Sequence, residues 1–389
     1  MLTQTLALII DSYRELSAKK IFWLSMGISG LIVLLISAVG FSENGNMSLL
    51  WYETSLPLAE MGMEKDVFYK MVFVNLGFRF WLAWGATILA LASTAGVFPD
   101  FISGGAIDLA LSKPIGRVRL LLTKYVASLL FVALQVAVFS LCAFLVIGLR
   151  GGSWEPAVFY AVPLVTLFYS YLYSVCALFG IVTRSAITSL IITGIFWFVV
   201  FVVGTTESAM LGFRTQNDVR VHSYETSIAA LENRAPAEER DEPANSIDRI
   251  KDYRDEQVAE AQLQRAQANL ESAREDADGI ALYHRIAFGV KTFLPKTAET
   301  LDVLEHRLVS MDDMSRLMLG DDDRGDVAPL LTEEGELSAE MRDAQRELTA
   351  IEMQNRVRNR SLWWILGTSL LFECSVLGIA AWRFKRRDF

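Results

Sequence analysis

Glu373 is the side chain in this sequence with the least obvious reason to be where it is. It stands inside the apolar run LLFECSVLG, where an ionisable group costs roughly 2.5 to 3.5 kcal/mol to place at bilayer depth and normally faces protein or a water-filled path. Two roles fit it: a hydrogen bond to a neighbouring helix, with the acid neutral, or a polar point for substrate or subunit coupling. Gln135 adds an amide to a second apolar run, and Tyr169, Ser170, Tyr173 and Ser174 form a polar stripe in a third. Hydrogen bonding between membrane helices accounts for such residues, and substrate contact is the sharper alternative. Glu373, Gln135 and Tyr173 are therefore the candidate intramembrane polar site.

The chemistry of soluble enzymes is not visible. No Gly-Lys dipeptide occurs, so the G-x-x-x-x-G-K-[ST] phosphate loop is absent and this chain is not an ATPase by that route. His222, His284 and His306 have no metal-ligand spacing and suit surface or interface positions. Met61, Met63 and Met71 could bind soft Cu(I), but scattered methionines are more often packing residues, as is the one-face set Met311, Met314 and Met318. Cys142, Cys176 and Cys374 all fall in apolar runs and suit small buried hydrophobes better than a disulfide frame. No catalytic residue, metal site or bound cofactor is expected.

The elements that hold these residues are apolar runs of membrane length. The 389 residues are 52% apolar and 21% charged, with mean hydropathy +0.33. Runs at about 21–41, 78–98, 120–147, 157–182, 185–203 and 361–382 each approach the roughly 20 residues a helix needs to cross the hydrocarbon core. The fold class expected is all-α, with six transmembrane helices. Leu2 to Lys20 is amphipathic, with Leu6, Ile9, Ile10, Tyr13 and Leu16 against Asp11, Arg14, Lys19 and Lys20, which suggests an interfacial helix rather than a cleavable leader. Arg79 lies near the outer end of the second run and can snorkel. Arg150-Gly151-Gly152 suits an outer turn and Thr183-Arg184 an inner one. The tail RFKRRDF and the cations Lys113, Arg117, Arg119 and Lys124 place both termini on the cytoplasmic side.

Three regions follow: 1–205 with the interfacial helix and five spans, an insertion over 206–360, and 361–389 with the sixth span and basic tail. From Glu207 to Arg360 there are 33 acidic and 20 basic residues, a balance that argues against a nucleic-acid partner. Ala259, Leu263, Ala266, Leu270, Ala273 and Ala277 step by four and three, as do Leu337, Met341, Ala344, Leu348 and Ile351. A helical hairpin or short antiparallel coiled coil is expected outside the membrane, its second helix leading into the last span. Ile280 to Leu308 is less polar. Phe288, Phe293 and Leu294 there, beside Lys291 and Pro295, either touch the outer leaflet or pack on that hairpin.

The stretch FPDFISGGAIDLALSKPIGRVRLLLTKY, Phe98 to Tyr125, lies between the second and third runs. A short helix started by Gly104-Gly105 and joined to two spans can pass a partner's movement into both; an ordinary topogenic loop is the plainer alternative. Through Gly105, Asp108, Leu109, Leu111, Ser112, Lys113, Pro114, Arg117 and Lys124 it closely resembles the first cytoplasmic loop of ABC-2 type exporter permeases. The resemblance covers the six spans and both inner elements. It departs from that family at Phe101-Ile102-Ser103, where a charged run is usual, and in the length of the last outer loop. What it implies is a coupling helix, carried by Gly105, Asp108, Leu111, Ser112, Lys113, Pro114 and Arg117, that docks into a separate ATP-binding subunit holding the ATP and Mg. It also implies a permease homodimer in a bacterial inner membrane, moving a substrate by the partner's ATP hydrolysis. The alternative is a mechanotransmitting or scaffold protein, in which the same loop receives the movement and the insertion passes it to an extracytoplasmic partner.

Overall fold

The computed structural model describes residues 20–41, 47–49, 52–53, 65–103, 116–232, 246–308 and 339–386, together with Ile10, Arg14, Ser17 and Ala18. Among the described residues six helices are long and apolar enough to cross a membrane: α1 (Lys20–Ala38), α2 (Lys65–Ile102), α3 (Arg117–Gly151), α4 (Pro156–Thr183), α5 (Ala186–Glu232) and α9 (Trp363–Lys385). Between α5 and α9 stand α6 (Ser246–Phe293), α7 (Thr297–Leu308) and α8 (Ala339–Arg358). The chain is thus a helical integral membrane protein. The Leu2 to Lys20 amphipathic helix falls almost wholly outside the described residues.

Two features were not anticipated. A three-stranded antiparallel sheet, β1 (Val39–Phe41), β2 (Met47–Leu49) and β3 (Tyr52–Glu53), follows α1, with Val39 opposite Leu49 and Leu49 opposite Tyr52. Its strands are two or three residues long, too short to show alternation in the sequence. Tyr69 Oη anchors it by donating to the Val39 carbonyl at 2.5 Å. The second feature is α2, which begins thirteen residues before the expected 78 and runs for 38 residues, about 57 Å at helical rise. Its stretch Phe73–Ala86 is π-helical.

The bundle packs by small and aromatic contacts, as expected where lipid removes the hydrophobic drive between helices. In α1 the stripe Phe22, Ser25, Ser29, Val33 and Ile36 is buried, while Leu24, Leu31, Leu34 and Leu35 on the other face are exposed. α4 is central, with Leu172, Tyr173 and Ile181 fully buried. Gly180 lets its lower end approach α2, since a Cβ there would lie 3.2 Å from Pro99. The inner turn falls at Arg184 as expected, whereas Arg150 and Gly151, expected in the outer turn, are the last residues of α3 and only Gly152 leaves the helix. Arg184 adopts φ 56° between α4 and α5, and Gly152 adopts φ 80° after α3.

The chain divides into two compact units, and residues Lys291–Gly320 group with the spans rather than with the rest of the insertion. In that first unit α7 buries Leu301, Leu304 and Leu308 in the main core. The second unit, Thr205–Val290 and Asp321–Arg360, has a small core of Tyr224, Ile228 and Ala266, flanked by Leu231, Leu263 and Leu270. The α6 heptad therefore packs on the extension of α5; Leu337 and Met341 of the second heptad lie outside the described side chains. Asn217 Nδ2 donates to the Ala273 carbonyl at 2.7 Å along the same seam. In the second heptad Leu348 is exposed, and α8 is held to α5 by Arg356 and Asp218 at 2.8 Å. Residues 359–361 break the helix between α8 and α9, so the second heptad does not run unbroken into the last span.

Candidate functional site

The stretch that resembles a coupling helix is bracketed by well-packed helix ends. Gly105, Asp108, Leu111, Ser112, Lys113 and Pro114 lie outside the described residues. Arg117 is the first residue of α3, and its Nη1 donates to the Lys385 carbonyl near the end of α9 at 3.2 Å. Lys124 is buried, with Nζ 4.8 Å from the centre of the Phe101 ring at the end of α2. With Pro99 of α2 against Gly180 of α4, these contacts bring the ends of α2, α3, α4 and α9 together at one end of the bundle. Arg184, Arg383, Lys385 and Arg386 are at the same end.

Above this end the polar side chains form a network. Tyr125 Oη of α3 is 2.8 Å from Glu373 Oε1 and 2.9 Å from the Ser170 carbonyl, so its single hydrogen has two acceptors. Ser170 Oγ of α4 is 2.8 Å from Glu373 Oε2. Tyr125 stacks on Tyr173 with ring centres 5.2 Å apart, and Tyr173 on Tyr169 at 5.5 Å. Tyr173 Oη donates to Ser128 Oγ at 2.9 Å, and the Tyr169 hydroxyl meets Thr94 Oγ1 of α2 at 2.5 Å. The structure thus brings Glu373 and Tyr173 into one network through Tyr125. Gln135 is not part of it, because its amide bonds Ser25 of α1. The missed member is Tyr125. Glu373 is twelve residues before Lys385 and Ser170 thirteen before Thr183, which pairs those two by depth, whereas Tyr125 is only eight residues after Arg117 and no count along the sequence selects it.

Charged groups that looked isolated are partnered as well. Arg79 does not snorkel at a helix end: it lies fourteen residues into α2 and pairs with Asp302 at 2.7 Å and Glu305 at 3.0 Å of α7. In the second unit Glu207 is fully buried, 2.5 Å from Arg360 Nη2 and 3.4 Å from His284 Nε2. Arg214 Nη1 approaches His284 Nδ1 at 3.5 Å. Burial pulls the His284 imidazole below its ordinary value, and Arg214 and Arg360 act in the same sense against Glu207. His284 is therefore an internal group, not a surface one. Glu207 and Arg360 flank the fifth and sixth apolar runs with opposite charge, which is a pairing signal that periodicity alone does not use.

Chemically the network can hold α3, α4 and α9 together. Among the described residues no three His, Cys, Asp or Glu side chains gather as metal ligands. No protein-family model, curated protein or solved structure matches the chain.

Proposed function

We propose that this chain is the permease subunit of an ABC-2 type exporter, paired with a second copy and with two copies of a separate ATP-binding subunit. The observation that carries the reading is the junction at the basic end, where the helices on either side of GGAIDLALSKPIG pack on α4 and α9. A docking partner that shifts this stretch shifts four helices, which is the physical requirement for converting ATP-driven movement into alternating packings of the spans. ATP and Mg belong to the partner, and this chain performs no covalent step. The cations of this end support a cytoplasmic face there by the positive-inside rule, and the reading puts both termini on that side of a bacterial inner membrane. The polar network of Glu373 and Tyr173 is the candidate intramembrane site.

The test is co-expression with the product of the neighbouring gene, followed by purification through a tag on this chain and a search for a co-purifying protein with a phosphate loop. Co-purification is expected, as is its loss when Asp108, Lys113 and Arg117 are replaced together. Failure of any such ATPase to bind, or binding unaffected by the triple replacement, overturns the coupling role. A second reading, transmission of movement to an extracytoplasmic partner without translocation, is favoured by one feature: α5 is a single helix from Ala186 to Glu232.

A further inference from the structure

Helix α7 belongs to the same compact unit as the spans, and it lies along α4 from one end to the middle. Its first turn is the deep one. The Lys296 backbone N–H donates to Ser369 Oγ at 2.9 Å, six residues into α9 and one turn before Glu373. Thr300 is fully buried beside Tyr171 of α4. At the other end the Arg307 guanidinium is 6.0 Å from the centre of the Tyr160 ring, where α4 starts. Between these points Leu301, Leu304 and Leu308 are buried, and Arg79 of α2 pairs with Asp302 and Glu305 at 2.7 and 3.0 Å. The Glu373 carboxyl is close enough to act on the Tyr171 hydroxyl. α7 therefore packs over the side of the Glu373 network that faces away from Arg117.

Two groups oppose this docking. Among the described residues Tyr171 Oη is fully buried and has no hydrogen-bond partner. The hydroxyls of Thr300 and Ser369 stand beside it out of alignment, their own protons given to the Lys296 and Ile365 carbonyls. A buried hydroxyl left unbonded is unfavourable, and water would satisfy it. The second group is Asp302. Burial pushes its carboxyl up to about 6, with Arg79 and Lys291 acting the other way and Glu299 and Glu305 adding to the rise. Its desolvation thus outweighs its ion pair. Against these stand the three leucines, the Arg79 pairs and the Lys291–Glu299 pair in the turn before the helix. An element of twelve residues held by such a balance is one that opens before the rest of a fold does.

We propose that α7 is a gate: it leaves α4 as a unit while the spans stay packed, and its departure admits water to Tyr171 and from there to Glu373. Arg79 holds the closed form through Asp302 and Glu305, and the Tyr171 hydroxyl favours the open one. The two residues therefore have opposite effects on one equilibrium, although both are polar and both touch the same helix. The proposal concerns the route to Glu373 and not what crosses the membrane, so its failure and that of the permease reading are separate.

The experiment follows backbone hydrogen exchange by mass spectrometry in the full chain held in lipid nanodiscs. Arg79→Gln is expected to speed exchange over 297–308 by about tenfold, and Tyr171→Phe to slow it by about fivefold, both leaving 161–183 unchanged. A helix with a purely structural role would be loosened or left untouched by Tyr171→Phe, and either result overturns the proposal. Entry of water toward Glu373 is read separately, in the chain carrying Cys142→Ser, Cys176→Ser and Cys374→Ser with Thr300→Cys. A cationic methanethiosulfonate reagent is expected to modify position 300, about tenfold faster when Arg79→Gln is added. No modification in either protein overturns the route to Glu373. If a variant does not fold, the unsubstituted protein decides: one protection factor shared by the amides of 297–308 and lower than that of 161–183 supports opening as a unit, whereas protection that grades inward from Leu308, or that matches the spans, overturns it.

Discussion

At the scale of single residues, the buried charges are held by partners that come from distant parts of the sequence. Glu207 has no exposed surface and depends on Arg360, 153 positions away, at 2.5 Å. His284 completes the cluster as a neutral ring whose charging is opposed by burial and by Arg214 and Arg360. Its folded-state value is lower than its unfolded one, so the native state binds fewer protons between the two. Stability contributed by the neutral ring is therefore fully present above the ordinary imidazole value and is lost as pH falls below about 6.5 toward the folded-state value. We predict that thermal unfolding of the purified protein shifts to lower temperature between pH 7.5 and pH 5, and that His284→Gln removes part of this slope. Equal slopes for the two proteins would show that His284 does not titrate against this cluster.

At the scale of elements, the network around Glu373 ties α3, α4 and α9 at one level through Tyr125 and Ser170. Hydrogen bonds between membrane helices contribute about 0.6 kcal/mol on average and up to about 1.7 each. Replacing Glu373 by Leu removes two, so a loss of about 1 to 3 kcal/mol is expected in unfolding from detergent micelles, with Glu373→Gln losing less than half as much. An unchanged Glu373→Leu protein would mean that the contacts add nothing to stability. The membrane elements themselves were legible, because apolar runs of membrane length have few alternative structures. The turns at Arg184 and Gly152 were legible too. What was not legible is pairing: the alternation in Ala259 to Ala277 announces an apolar seam but not its partner, which is the α5 extension carrying Tyr224 and Ile228. The sheet over Val39 to Glu53 and the docking of α7 on the spans depend on long-range packing that no local period encodes. The residues of the candidate site divide in the same way, since Glu373 stands out in its apolar run while Tyr125, eight residues into α3, becomes informative only once α3, α4 and α9 are packed.

At the scale of the whole molecule, the apolar spans and the acidic insertion pose separate questions. Under the proposed permease reading the insertion serves transport only indirectly; under the transmitter reading it is the output. Deletion of 225–355 with a short flexible link separates the two. An exporter keeps ATP-dependent efflux from cells or vesicles, within about a few-fold of the intact chain, whereas a transmitter loses its function entirely.

One asymmetry between α5 and α8 has a mechanical meaning. α5 continues from the apolar run through Glu207 to Glu232 without a break, while residues 359–361 interrupt the path from α8 into α9. The 28 residues of α5 beyond Gly204 are about 42 Å of helix. Within the break Arg360 is tied to Glu207 of α5 at 2.5 Å, so the point where α8 ends is pinned to a continuous helix. Arg360→Ala is expected to release that pin, read as faster backbone hydrogen exchange at 359–361 than in the intact protein.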